Sequence, residues 1–202
     1  GYDEMNMSQS IVNHTTGSRA GTILVNGAVS TQGQATISID GLTGATDTVT
    51  AGDVFTIAGV YAVNPQTRLS TGSLQQFVVT AAQTGASNAL ANMAISPPMY
   101  TASNALATID AFPADNAAVT FVGTASTVYP QNLVYHKNAI TLATADLLLP
   151  QGVDMASRQV HNGISMRIVR QYDINNDRMP CRVDVLYGFS TIRPPMACRI
   201  FG

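Results

Sequence analysis

The densest group of chemically capable side chains lies between Arg170 and Asp184, where Arg170, Asp173, Asp177, Arg178, Arg182 and Asp184 fall in one short stretch. Asp173, Asn175, Asp177 and Asp184 have the spacing of the first, third, fifth and twelfth positions of a helix-flanked calcium loop. Arg178 stands where that loop needs the glycine of its sharp turn, and both flanks read as strands, so the stretch is predicted to be a hydrogen-bonded hairpin tip and no metal site. Its six charged residues are candidates for contact with another protein subunit. Elsewhere the chemistry is sparse. His14, His136 and His161 stand far apart, with no H-x-x-x-H or H-x-E pair. There is no G-x-S-x-G elbow, no phosphate loop and no G-x-G-x-x-G, and the only glutamate is Glu4. Acid chemistry of the glycosidase kind would rest on scattered aspartates. The expectation is no catalytic residue, no cofactor and no enzyme.

Composition points the same way. Charged residues make up 11% of the 202 residues, against a usual share of about 25%, while hydrophobic residues are an ordinary 46%. The surface is therefore largely neutral, which suits a chain whose faces are covered by other copies of itself. Net charge is −2, too small to draw the chain onto nucleic acid or an anionic membrane. The charge is unevenly spread: residues 1–136 hold two arginines against seven carboxylates, a net −5, and residues 137–202 hold eight cations against five aspartates, a net +3. Those late arginines alternate with aspartates and lack aromatic interleaving, which favours protein contacts over a phosphate track. Cys181 and Cys198 are too few for a disulfide scaffold and are read as reduced core residues. No apolar run is long enough for a membrane helix. The start at Gly1 without methionine, lacking the features of a signal peptide, predicts a fragment or a processed product.

The elements that must carry these residues are mainly β. Short alternating runs at Thr22 to Val25, Ala35 to Ile39, Val54 to Ala58, Phe77 to Ala81 and Met93 to Ile95 are separated by Gly, Asn and Asp turns, the spacing of a small antiparallel barrel. In GDVFTIAGVYAVNP, residues 52–65, Phe55 and Ile57 face one way and Val54, Thr56 and Ala58 the other, with no reactive group beside them. Pro97-Pro98 is expected to end the ladder and mark a domain boundary. Residues 101–111 predict a weak helix with Leu106 and Ile109 on one side. Later runs are Val119 to Val122, Leu133 to His136, Ala139 to Leu149, Gly163 to Tyr172 and Pro180 to Phe189, the last two forming a long hairpin around the charged tip.

At this point the residues resemble a known family. TVTAGDVFTIAGVYAVNPQT, LQQFVVTAAQ, ISPPMY, YPQNLVYHKNAITLATADLLLP and RIVRQYDINNDRMPCRVDVLYGFSTIRPPMACRIFG are similar to the downstream half of tailed-phage major capsid proteins of the Salmonella-podovirus type, NLVYHKNAITLATADL and CRVDVLYGF being the more specific parts. The resemblance implies a Hong-Kong-97-type fold of α+β, mainly β, character with a small β-barrel insertion domain. Residues 1–19 would end a preceding capsid segment, 20–98 form the inserted barrel, and 99–202 return through the A domain to the closing strands of the P domain. The family's N-terminal arm, extended loop and spine helix lie upstream of the matching part and are not in these residues. The function implied is a major capsid subunit of the icosahedral shell around double-stranded DNA, located in the virion and assembled in the bacterial cytoplasm. Its partners would be other copies of itself in hexamers and pentamers, scaffolding, portal or decoration proteins, and packaged DNA by non-specific proximity. No cofactor, membrane or small-molecule substrate is implied. The alternatives are a tail, decoration or adhesin-type barrel that binds carbohydrate or protein, and a hydrolase built on dispersed aspartates.

Overall fold

The structure, a computed structural model, describes residues 4–10 and 12–201; Gly1, on which the expectation of a processed product rests, lies outside them. Among the described residues the regular elements are strands and one 3-10 turn, so the mainly β expectation holds. The chain divides into two compact units, the first reaching Gln131 and the second covering Asn132–Ile200.

The first unit contains β1 (Asn13–Thr15), β2 (Gly21–Val25), β3 (Gln34–Leu42), β4 (Thr48–Val49), β5 (Val54–Val63), β6 (Ser70–Val79), β7 (Gln83–Thr84), β8 (Leu90–Met99), β9 (Val119–Phe121) and the start of β10 (Val128–Tyr135). Six of these form an antiparallel sheet in the order β2-β3-β8-β6-β5-β9. Its two edges approach each other, Val25 N donating to Ala117 O and Asn116 N to Val25 O, both at 2.9 Å, so the sheet curls into a partly closed barrel. The alternating residues dictate which face turns inward. Phe55 and Ile57 of β5 are fully buried and Ala58 is exposed, as their spacing predicts. Val54 on the opposite face is buried too and Thr56 is half-buried, so the alternation is not a clean division between core and water. Register then stacks the aromatics: Phe55 lies opposite Phe77 on one side and Phe121 on the other, with ring centroids 5.6 and 5.2 Å away. Ile37, Ile39, Val79, Leu90, Met93 and Ile95 complete the filling. Each such side chain contributes about 1.5–3 kcal/mol through burial.

Two local expectations fail here. Pro97-Pro98 does not end β8, which continues to Met99. The pairing of β3 shifts between Gln34↔Met99 and Thr36↔Ala94, so the prolines occupy a bulge and no ladder amide is required of them. Residues 101–111 form turns and no helix. Asn104 Oδ1 accepts the Leu106 amide at 2.9 Å and the Thr108 hydroxyl donates to Pro98 O at 2.8 Å, local side-chain bonds that compete with helical ones. Ile109 is consequently buried in the barrel core and Leu106 is exposed. With Ile109 and Val119 inside that core, the first compact unit runs well past Pro98.

The second unit contains β11 (Ile140–Ala145), β12 (Met155–His161), β13 (Ile164–Arg170), β14 (Cys181–Asp184), β15 (Leu186–Thr191), the 3-10 turn Pro194–Met196 and β16 (Ala197–Phe201) to Ile200. β12, β13 and β14 form one antiparallel sheet, and β11 pairs β15. The predicted single strand from Pro180 to Phe189 is broken at Val185, because its two parts serve different partners: β14 pairs β13 and β15 pairs β11. β12, absent from the sequence reading, forms the longer hairpin with β13 across Asn162-Gly163, whose φ of 49° and 78° are those of a type I′ turn. Among the described residues of this unit only Ala139 and Ser165 are buried. Cys181 and Cys198 are free and exposed, contrary to their reading as core residues, because their strands lie in thin sheets that bury few side chains.

Candidate functional site

The hairpin tip is built by strand register and by asparagine and aspartate chemistry. β13 and β14 pair from Arg167↔Asp184 to Arg170↔Cys181. Beyond the ladder, Asp173 and Arg178 exchange backbone bonds at 2.8 and 3.3 Å and close a loop of Ile174, Asn175, Asn176 and Asp177. Asp173 Oδ1 accepts the Asn175 amide at 3.0 Å and Oδ2 accepts Asn176 Nδ2 at 2.7 Å, an Asx turn that holds the loop. These two bonds, that of the Asn176 side chain foremost, hold the Asp173 carboxyl below the usual aspartate value. Tyr172 Oη donates to Asp177 Oδ1 at 2.8 Å, and this bond pushes the phenol above its ordinary value.

The remaining charged candidates lie on the ladder. Arg167 donates to Asp184 Oδ2 through Nη2 at 2.5 Å and Nε at 3.2 Å, while Arg182 Nε approaches Oδ1 at 2.8 Å. The Arg167 bond first, and Arg182 after it, hold the Asp184 carboxyl below its usual range. Arg170 pairs with Asp154 at 2.8 Å, just before β12. The structure therefore brings Asp173, Asp177 and Arg178 together at the tip and sets Asp184 with Arg167 and Arg182. The calcium-like spacing is not realised as one ligand set. Among the described residues, the Arg178 side chain makes no hydrogen bond or ion pair.

The more deeply built cluster is one that sequence reasoning missed, and it sits in the very stretch read as chemically inert. Asp53, read as a turn residue, has a fully buried carboxylate. Oδ2 accepts Arg19 Nη1 at 3.0 Å and the amides of Gly17 and Thr50 at 3.2 and 2.9 Å, and Oδ1 lies 3.0 Å from His14 Nε2. Arg19, buried as well, donates through Nη2 to Val122 O at 3.2 Å and lies 4.4 Å over the Phe121 ring. Burial pushes its guanidinium below the ordinary arginine value, and Asp53 opposes that shift. The available signal was that Arg19 is one of two arginines in a 136-residue acidic region and that Asp53 directly precedes a core strand. Every oxygen of this carboxylate is taken by a neighbour, so the network ties the segment before β2 to the barrel and leaves no group poised toward a substrate. His136 is likewise occupied locally, its Nδ1 accepting the Asn138 amide at 3.2 Å. His161 ends β12.

Comparison with known proteins adds three findings. The profile of the family described as P22 coat protein, gene protein 5, matches residues 1–202. Among solved structures, the CUS-3 coat protein I-domain is similar at 27% identity over 51% of this chain and 96% of that chain, with a TM-score of 0.38. No curated protein matches the chain. Because the family profile runs through the barrel, the paired strands and the charged hairpin alike, the chain belongs to the P22 coat protein family and is a bacteriophage capsid protein.

Proposed function

We propose that the chain is the shell-forming part of a major capsid subunit, one of many identical copies arranged as hexamers and pentamers in an icosahedral container for double-stranded DNA, with no catalytic role. The observation that carries this reading is the match of the coat family along all 202 residues. Physical features support it. A container needs broad, weakly charged surfaces repeated under symmetry, since many copies of a modest contact achieve what one cannot. The chain has few charges, and its second unit leaves Phe189, Tyr187, Val183 and Leu142 in water, the behaviour of surfaces that another molecule covers. In this reading the first unit is the inserted barrel domain. Ile109 and Val119 in the barrel core support extending that domain past residue 98, within a unit that reaches Gln131. The second unit is the return through the A domain to the closing strands of the P domain, and the tip from Arg170 to Arg182 is the element that reaches a neighbouring subunit.

Electron microscopy of the protein, expressed as the phage encodes it, tests the reading. Closed icosahedral particles containing this polypeptide are expected. A monodisperse monomer whose melting temperature rises on adding a saccharide or protein ligand would instead identify a binding module.

A further inference from the structure

The tip satisfies its own acids and leaves one cation over. Within residues 137–202, Asp146 is paired by Arg158 at 3.4 Å, Asp154 by Arg170, and Asp184 by Arg167 and Arg182, while Asp173 and Asp177 accept bonds from Asn175, Asn176 and Tyr172. Arg178 is left without a side-chain partner among the described residues. Beside it on the same closed loop, Ile174 is 80% exposed. A β-branched apolar side chain held in water next to an uncompensated guanidinium, on a loop already ordered by its own bonds, loses little entropy when it docks. Such pairs make effective anchors.

We propose that Ile174 and Arg178 form a knob that docks onto a second copy of the coat protein, Ile174 entering an apolar depression and Arg178 meeting a carboxylate from residues 1–136 of that copy. The inference rests on the shell-subunit reading above. Charge selects the partner. All five aspartates of residues 137–202 are engaged, whereas residues 1–136 carry a net −5 and include Asp40 on β3, the one carboxylate among the described residues whose side chain makes no hydrogen bond or ion pair. A nucleic-acid phosphate could meet Arg178 but would leave Ile174 in water, so a protein surface fits both groups better.

The test uses the protein as the phage encodes it, with Ile174→Ser and Arg178→Glu as separate variants. Both side chains are exposed, so the melting temperature of each variant should match that of the unaltered subunit. Particle yield by sedimentation should fall about tenfold, because the lost contact recurs at every copy. In particles assembled from isotopically heavy and light subunits, Arg178→Lys with a carbodiimide should give a zero-length amide. It forms as the activated carboxyl loses its urea leaving group to the new amine, and it should join a heavy tip peptide to a light peptide from residues 1–136. Unchanged yields for both variants would overturn the proposal, as would cross-links confined to one copy or absent. Normal shells that fail only to retain DNA would assign the tip to nucleic acid and overturn it equally. If the unaltered protein makes no particles, the shell reading falls and the proposal with it.

Discussion

Asp53→Ala removes one acceptor from four donors at once, which makes it the sharpest probe of the barrel unit. The alanine leaves the Arg19 guanidinium buried with no counter-charge, a situation that costs about 3–5 kcal/mol in proteins. The stranded amides of Gly17 and Thr50 would add about 1–3 kcal/mol each if they stayed dry. These losses are not additive, since relaxation that admits water to one admits it to the others. A destabilisation of about 4 kcal/mol is therefore expected, or a fall in melting temperature on the order of 10 °C for a unit of this size. The second half of the experiment isolates the cause. Arg19→Met with Asp53→Ala removes the orphan charge and keeps an apolar side chain against Phe121, so the double variant should regain more than half of the loss. Urea unfolding gives the free energies, with hydrogen exchange at the Phe55 and Phe77 amides following the barrel core. A single Asp53→Ala variant that loses less than about 1 kcal/mol, or a double variant as unstable as the two single losses added together, would refute the buried-charge account.

Other expectations follow from particular contacts. Asp184 has a folded pKa below its unfolded one, so what its ionisation contributes is complete above the ordinary carboxylate pKa and is lost as pH falls through the depressed value. NMR titration of its carboxyl should show that low midpoint, and Arg167→Gln should raise it. Gly41 has φ of +76°, and a Cβ there would lie 2.0 Å from Thr22 O, so Gly41→Ala should cost about 2 kcal/mol or more in thermal unfolding of the barrel unit. In the β12–β13 turn, Gly163→Val should expose the His161 and Ile164 amides, the hydrogen-bonded pair that closes the turn, to hydrogen exchange and leave the Phe55 and Phe77 amides protected.

Where residue type and local spacing settle a matter, the sequence was a good guide. Alternation placed Phe55 and Ile57 on the buried face because side chains on a strand point to opposite sides by geometry alone. Asp173, Asn175 and Asn176 marked the hairpin tip because their short polar side chains bond their own backbone wherever they stand. The Asn162-Gly163 turn was legible too, and passing over it concealed β12.

Partner choice was not legible. Pro97-Pro98 reads as a terminator until β3 supplies a bulge that needs no amide from it, and the run from Pro180 to Phe189 reads as one strand until β13 and β11 each take half. Asp53 shows the limit most clearly. By itself the sequence determined a β protein with few charges, its strand faces and its turns, because these depend on neighbours along the chain. Only the tertiary structure decided that a turn aspartate becomes a buried anchor, because Arg19 and His14, 34 and 39 residues earlier, had to be folded against it before its charge could be matched out of water.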